Sequence, residues 1–160
     1  MASTKRRGCA TLLAMDADKV LTATFTIKHF PLDLYKDGAG DGTVDTEPAG
    51  STFDYGTVVT VTATPYISST FSGWSGDASG ATNPVTVTID AGKAVTATFG
   101  IRTFTITPTA EANGSITPST PQTVNYGADR PFTIMADPHY HILDVVADGV
   151  SLGVVDAYTF

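Results

Sequence analysis

The sequence predicts an all-β protein made of tandem modules of about 74 residues, β-grasp-like or β-sandwich-like, with no substantial helix. Three observations carry this expectation. Two phrases, DADKVLTATF at 16–25 and DAGKAVTATF at 90–99, agree at seven of ten positions after a shift of 74, and self-similarity at a fixed long period marks a repeat array. Threonine alternates with Val, Ile, Ala or Phe in short runs, the pattern of a strand whose side chains point to opposite faces with period two. Glycine, asparagine, aspartate and proline separate these runs at turn spacing.

Taken in order, residues 1–8 contain Lys5, Arg6 and Arg7 and no acid, and read as a leader or an added segment. The apolar run CATLLAM that follows is met at once by Asp16 and Asp18, where a secretory signal needs a longer apolar region and a small-residue cleavage site. Residues 9–26 read as the closing strands of an incomplete repeat and 27–99 as one complete repeat. Its strands are VTVTAT from Val59, VTVTI from Val85 and VTATF from Val95, all β-branched enough for propensity to agree with pattern. Its turns are KDGAGDG at 36–42, expected to close a hairpin, then EPAG at 47–50, DYG at 54–56 and TNP at 82–84.

Residues 102–160 read as a third repeat. FTIT from Phe104 echoes FTIK from Phe25, VNYG echoes FDYG, and FTIMADP echoes TVTATP. The 74-residue period places the end of this repeat near position 173, so it is expected to lack its last strand. HILDVVADGV at 141–150 comes nearest to a helical pattern, but its β-branched content and Asp148-Gly149 predict a hairpin.

The bulk numbers exclude several functions. At 42% hydrophobic and 16% charged residues the chain has enough apolar surface for cores and too little charge for disorder. The net charge is −7, and residues 9–160 hold six basic against sixteen acidic residues. Such a body repels phosphate backbones, which excludes nucleic acid. Nothing approaches the ~18 consecutive apolar residues of a membrane span. Cys9 is the single cysteine, so no intrachain disulfide is possible.

The stretch 56–99, with its GTVVTVTAT strand, FSGWSG centre and DAGKAVTATF close, resembles the divergent B-repeat of internalin-type bacterial surface proteins. VNYGADRPFTI and YHILDVVADGVSLG in 102–160 resemble a variant of the same class. The resemblance implies non-catalytic β-rich modules outside the cell that space or adhere, with neighbouring repeats, a polysaccharide or a host surface as partners.

Candidate chemistry is sparse. Trp74, with Tyr66, could offer a sugar-stacking platform; the glycine-flanked pattern fits a core aromatic as well. Asp37, Asp41 and Asp45 could give an oxygen-rich calcium loop, although the spacing is not that of an EF-hand and the glycines suit a turn. His139 and His141 could share a zinc but lack a third ligand. No nucleophile elbow or Ser, His, Asp trio stands out, so no enzyme and no other cofactor is expected. Thr60, Thr62, Thr64, Thr86, Thr88, Thr96 and Thr98 form polar strand faces, ordinary for solvated antiparallel strands. Finally, Val20, Leu21, Thr22, Ala23, Thr24 and Phe25 form a strand-like segment that could complete the third module of another copy by strand addition.

Overall fold

The computed structural model describes residues 17–160; the leader, Cys9 and the first part of the segment 9–26 lie outside them. Every regular element among the described residues is a strand. The first seven are β1 (His29–Asp37), β2 (Gly42–Glu47), β3 (Thr52–Asp54), β4 (Val58–Pro65), β5 (Ser69–Gly76), β6 (Val85–Thr88) and β7 (Lys93–Ile101). They form a four-stranded sheet in the order β3-β1-β7-β5 and a three-stranded sheet in the order β2-β4-β6. Of the two expected architectures, the sandwich is the one that forms.

Consecutive strands never pair within this module: odd-numbered strands build one sheet and even-numbered strands the other. KDGAGDG therefore carries the chain across the sandwich and closes no hairpin. Gly38 makes that crossing possible. Its φ is 96°, and an added Cβ would stand 2.1 Å from the Phe99 carbonyl oxygen, so no side chain fits there.

The alternating runs put their apolar residues inward. Leu32, Phe53, Trp74, Val95, Ala97 and Phe99 from the larger sheet meet Val59, Val61, Ala63 and Val87 from the smaller, with Ile89 and Ala78 closing the ends. β7 contributes most: Val95, Ala97 and Phe99 are fully buried. It lies between β1, which it pairs in parallel from Leu32↔Lys93 to Asp37↔Thr98, and β5, which it pairs antiparallel. The copy of the repeated phrase at 90–99 thus supplies an inner strand of its sheet.

Seven further strands follow: β8 (Thr103–Ile106), β9 (Gly114–Thr117), β10 (Gln122–Asn125), β11 (Pro131–Ala136), β12 (Val145–Ala147), β13 (Val150–Gly153) and β14 (Ala157–Thr159). Six of them, all but β13, repeat β1 to β6 in order. β8 pairs β10 as β1 pairs β3, and β11 joins β9 to β14 as β4 joins β2 to β6. Turn hydrogen bonds confirm the register: Tyr66 N–H to Asp41 O returns as Asp137 N–H to Asn113 O, and Ser69 N–H to Tyr66 O as Tyr140 N–H to Asp137 O.

This pairing sets Phe104 against Val124 as Phe30 is set against Phe53. The echo of FTIK at Phe25 in FTIT at Phe104 is therefore five residues out: Phe30 is the counterpart of Phe104, and Phe25 that of Phe99. Asp148 and Gly149, with φ of 50° and 81°, turn β12 into β13 as the sequence predicts. Phe132 is the only buried apolar side chain in 102–160, because nothing there stands in the place of β7.

Val20 to Phe25 belong to no strand, and Val20, Leu21 and Phe25 are at least nine-tenths exposed. Phe99→Ala is expected to cost roughly 3–5 kcal/mol in urea unfolding, as for a buried Phe that leaves a cavity. The matched Phe25→Ala should stay within about 0.5 kcal/mol of the parent at monomeric concentration. Equal losses would contradict the opposite burial of these two equivalent residues.

Candidate functional site

Asp37, Asp41 and Asp45 are placed by the crossing from β1 to β2, and each carboxylate is engaged separately. Asp37 accepts from the Gly38 N–H at 2.8 Å. Asp41 accepts from Lys36 Nζ at 2.6 Å and from the Gly42 N–H at 2.8 Å. Asp45 accepts from the Thr43 hydroxyl at 3.0 Å, on a different sheet from Asp37. Among the described residues no three His, Cys, Asp or Glu side chains converge on a point that could hold a metal. The three carboxylates grouped by the spacing do not converge: Asp37 and Asp41 bond in the crossing, Asp41 also pairs with Lys36, and Asp45 bonds a neighbour within β2.

The pairing leaves an electrostatic signature. The Lys36 hydrogen bond, then that from the Gly42 N–H, hold Asp41 below the ordinary aspartate range, while Asp41 raises Lys36 above the ordinary lysine range. Lys93 and Asp90 do the same to each other across 2.7 Å at the start of β7. Lys93 also approaches Asp77, whose carboxylate accepts from the Ala94 N–H at 2.8 Å. These acids fix where β7 begins.

Trp74 lies in the core with 5% of its surface exposed. Its indole N–H donates to the Thr82 carbonyl at 3.0 Å, and its ring tilts against Phe71 at 5.0 Å. A buried, hydrogen-bonded indole has no face left for a sugar, so the stacking platform is corrected to a core residue. Tyr66 is half exposed but stands at the β4–β5 turn, without Trp74 as a partner surface. His139 occupies a turn with φ of 74° rather than a strand, so it does not share a face with His141. The threonine faces are divided: Thr60, Thr62, Thr64, Thr86 and Thr88 lie on one sheet and Thr96 and Thr98 on the other.

What the geometry does single out is the junction between modules. β7 runs to Ile101 and β8 starts at Thr103, with Arg102 alone between them. The Arg102 N–H donates to Ser68 O in the first module, and its carbonyl accepts from Tyr126 N–H in the second, both at 2.8 Å. One residue thus bonds to both. Lys28 is its counterpart, accepting from the Tyr55 N–H at 2.8 Å.

Residues 33–102 match the family model of the divergent InlB B-repeat domain. This segment is a divergent B-repeat. The match ends at the junction residue and leaves out β8 to β14, whose pairing nevertheless copies the B-repeat pattern. No curated protein and no solved structure matches the chain.

Two outcomes test this reading of the B-repeat surface. The thermal midpoint should be the same with calcium as with a chelator, since a bound ion would raise it by mass action. Lys36→Met should bring the Asp41 titration back up toward the ordinary aspartate range, read by carboxyl chemical shifts. The sign follows from the depressed pKa: Asp41 stabilises the fold above its unfolded pKa, and the contribution is lost as pH falls through the lower folded value. An unmoved Asp41 titration would remove Lys36 as its cause.

Proposed function

We propose that the chain is a non-catalytic, extracellular or cell-surface segment of a larger bacterial protein, and that its task is to extend and space rather than to catalyse. The observation that carries this reading is the parallel pairing of β1 with β7. The chain enters the B-repeat at His29, at one end of the inner pair, and leaves at Ile101, at the other, because both strands run the same way. A strand of nine residues advances the chain by about 30 Å. A repeat with its termini at opposite ends adds length when copied, whereas one with adjacent termini folds back.

Two further features support the spacer role. Arg102 is bonded to both modules, which stiffens the link. The described surface of the B-repeat offers polar strand faces and separate ion pairs. Adhesion to a host surface or a polysaccharide would then belong to other parts of the larger protein, presented at a distance by the array.

Small-angle scattering tests the geometry. Adding one more 74-residue copy of 29–102 at the junction should lengthen the maximum dimension by about 30 Å, one strand length. An unchanged maximum dimension with a thicker cross-section would mean that repeats pack side by side, and the spacer reading would fail.

A further inference from the structure

We infer that the B-repeat is a tension-bearing module: a pull on the chain from both sides loads the ladder between β1 and β7 along its length, and the repeat stays closed until that ladder gives way as a whole. This goes beyond the spacer reading, which concerns length, though both rest on the parallel pairing of β1 with β7. Every residue involved lies within 28–102, and the chain continues on both sides of that stretch.

The direction of the load decides how the repeat resists. Tension reaches it through Lys28, which precedes β1, and through Arg102, which follows β7. Arg102 alone joins β7 to β8, so no slack linker takes up the load before the strands do. β1 is drawn toward its first residue and β7 toward its last. Because the two run the same way, they are pulled past each other rather than apart. Six residue pairs, from Leu32↔Lys93 to Asp37↔Thr98, then carry the load together. The bonds of a parallel ladder are evenly spaced, so none is favoured to break first. In a hairpin, whose free ends lie side by side, the same pull would open one pair at a time.

Further contacts extend the hold at both ends. Where β1 stops, the Gly40 N–H donates to the Phe99 carbonyl at 2.9 Å, so the chain stays bound to β7 beyond Asp37. On the entry side His29, Phe30 and Pro31 pair with Asp54, Phe53 and Thr52 of β3. The Leu32 N–H donates to Ser51 O at 3.0 Å, and His29 Nδ1 lies 2.6 Å from Asp54 Oδ1. β7 is held along its other edge by β5, from Val95 to Ile101. Both loaded strands are thus inner strands of the four-stranded sheet, and neither can leave from an edge.

The core opposes sliding as well. A slip of one residue would turn Val95, Ala97 and Phe99 to the outer face. A slip of two restores their facing only after an advance of about 7 Å. All three are fully buried, and in a close-packed interior either slip drags them out of the sites they fill. Forced opening follows the unfolding rate rather than the equilibrium stability. The direction of pulling can therefore change the resistance of one and the same fold.

Pulling single molecules in two directions tests this. In the full chain with Cys9→Ser, handles at Lys28→Cys and Arg102→Cys load the ladder lengthwise. Handles at Lys28→Cys and Ala91→Cys share the first attachment but pull β7 from its other end, taking the pairs one by one from Leu32↔Lys93. Lys28 and Ala91 are exposed, and Arg102 bonds through its backbone, so the fold is kept. At equal loading rate the lengthwise pull should need at least about twice the force, since evenly spaced bonds share it. It should open in one step that releases roughly 210–230 Å, the extended length of 29–101 less the folded span. A force ratio nearer one than two overturns the proposal. So does lengthwise opening in several short steps, which would mean that the strands slide or fray pair by pair. A repeat that adds its length in scattering yet opens at the same force in both directions would keep the spacer reading and lose this one.

Discussion

The parallel pairing of β1 with β7 is the constraint on which the rest of the B-repeat depends. It joins residue 32 to residue 93 and spans almost the whole module, so the inner strand of the larger sheet is also the last to leave a ribosome. Every other pairing is non-local too, because successive strands alternate between the two sheets. Such contacts require loop closure before any ladder forms, which slows folding and makes the module cooperative. Three fully buried side chains on one strand, Val95, Ala97 and Phe99, tie that late event to the core.

The second module shows the same constraint by its absence. Its outer pairings form in the same register as those of the first, yet its apolar residues remain largely half-buried and only Phe132 is enclosed. Within residues 102–160 no strand takes the place of β7, and the segments 107–112 and 140–144, counterparts of those that flank β7, belong to no strand. Placement of the inner strand at the sequence end of each repeat gives the array a joint: a strand ends one module and one residue later begins the next. Lys28 and Arg102 hold that joint through backbone groups.

Charge plays a local part. Lys36 with Asp41 and Lys93 with Asp90 each sit beside a chain reversal, where a carboxylate also takes a backbone N–H or lies next to one that does. The carboxylates of both pairs are solvent-facing, and such pairs contribute little to stability. Their effect is to fix the turns from which β2 and β7 start.

The sequence by itself determined the strand character, the 74-residue period, the Asp148-Gly149 turn and the likeness of residues 33–102 to a B-repeat, because period-two alternation, glycine turns and self-similarity are local or literal signals. Local signals could not say which strand lies beside which. KDGAGDG looks like a hairpin turn until β1 and β2 fall in different sheets, and three aspartates look like one loop until each meets its own donor. Trp74 fits either role until Thr82 is found at its N–H. The inner position of β7 was the least legible feature. Only the tertiary structure places it between β1 and β5, because pairing is decided by which faces the whole module can bury together.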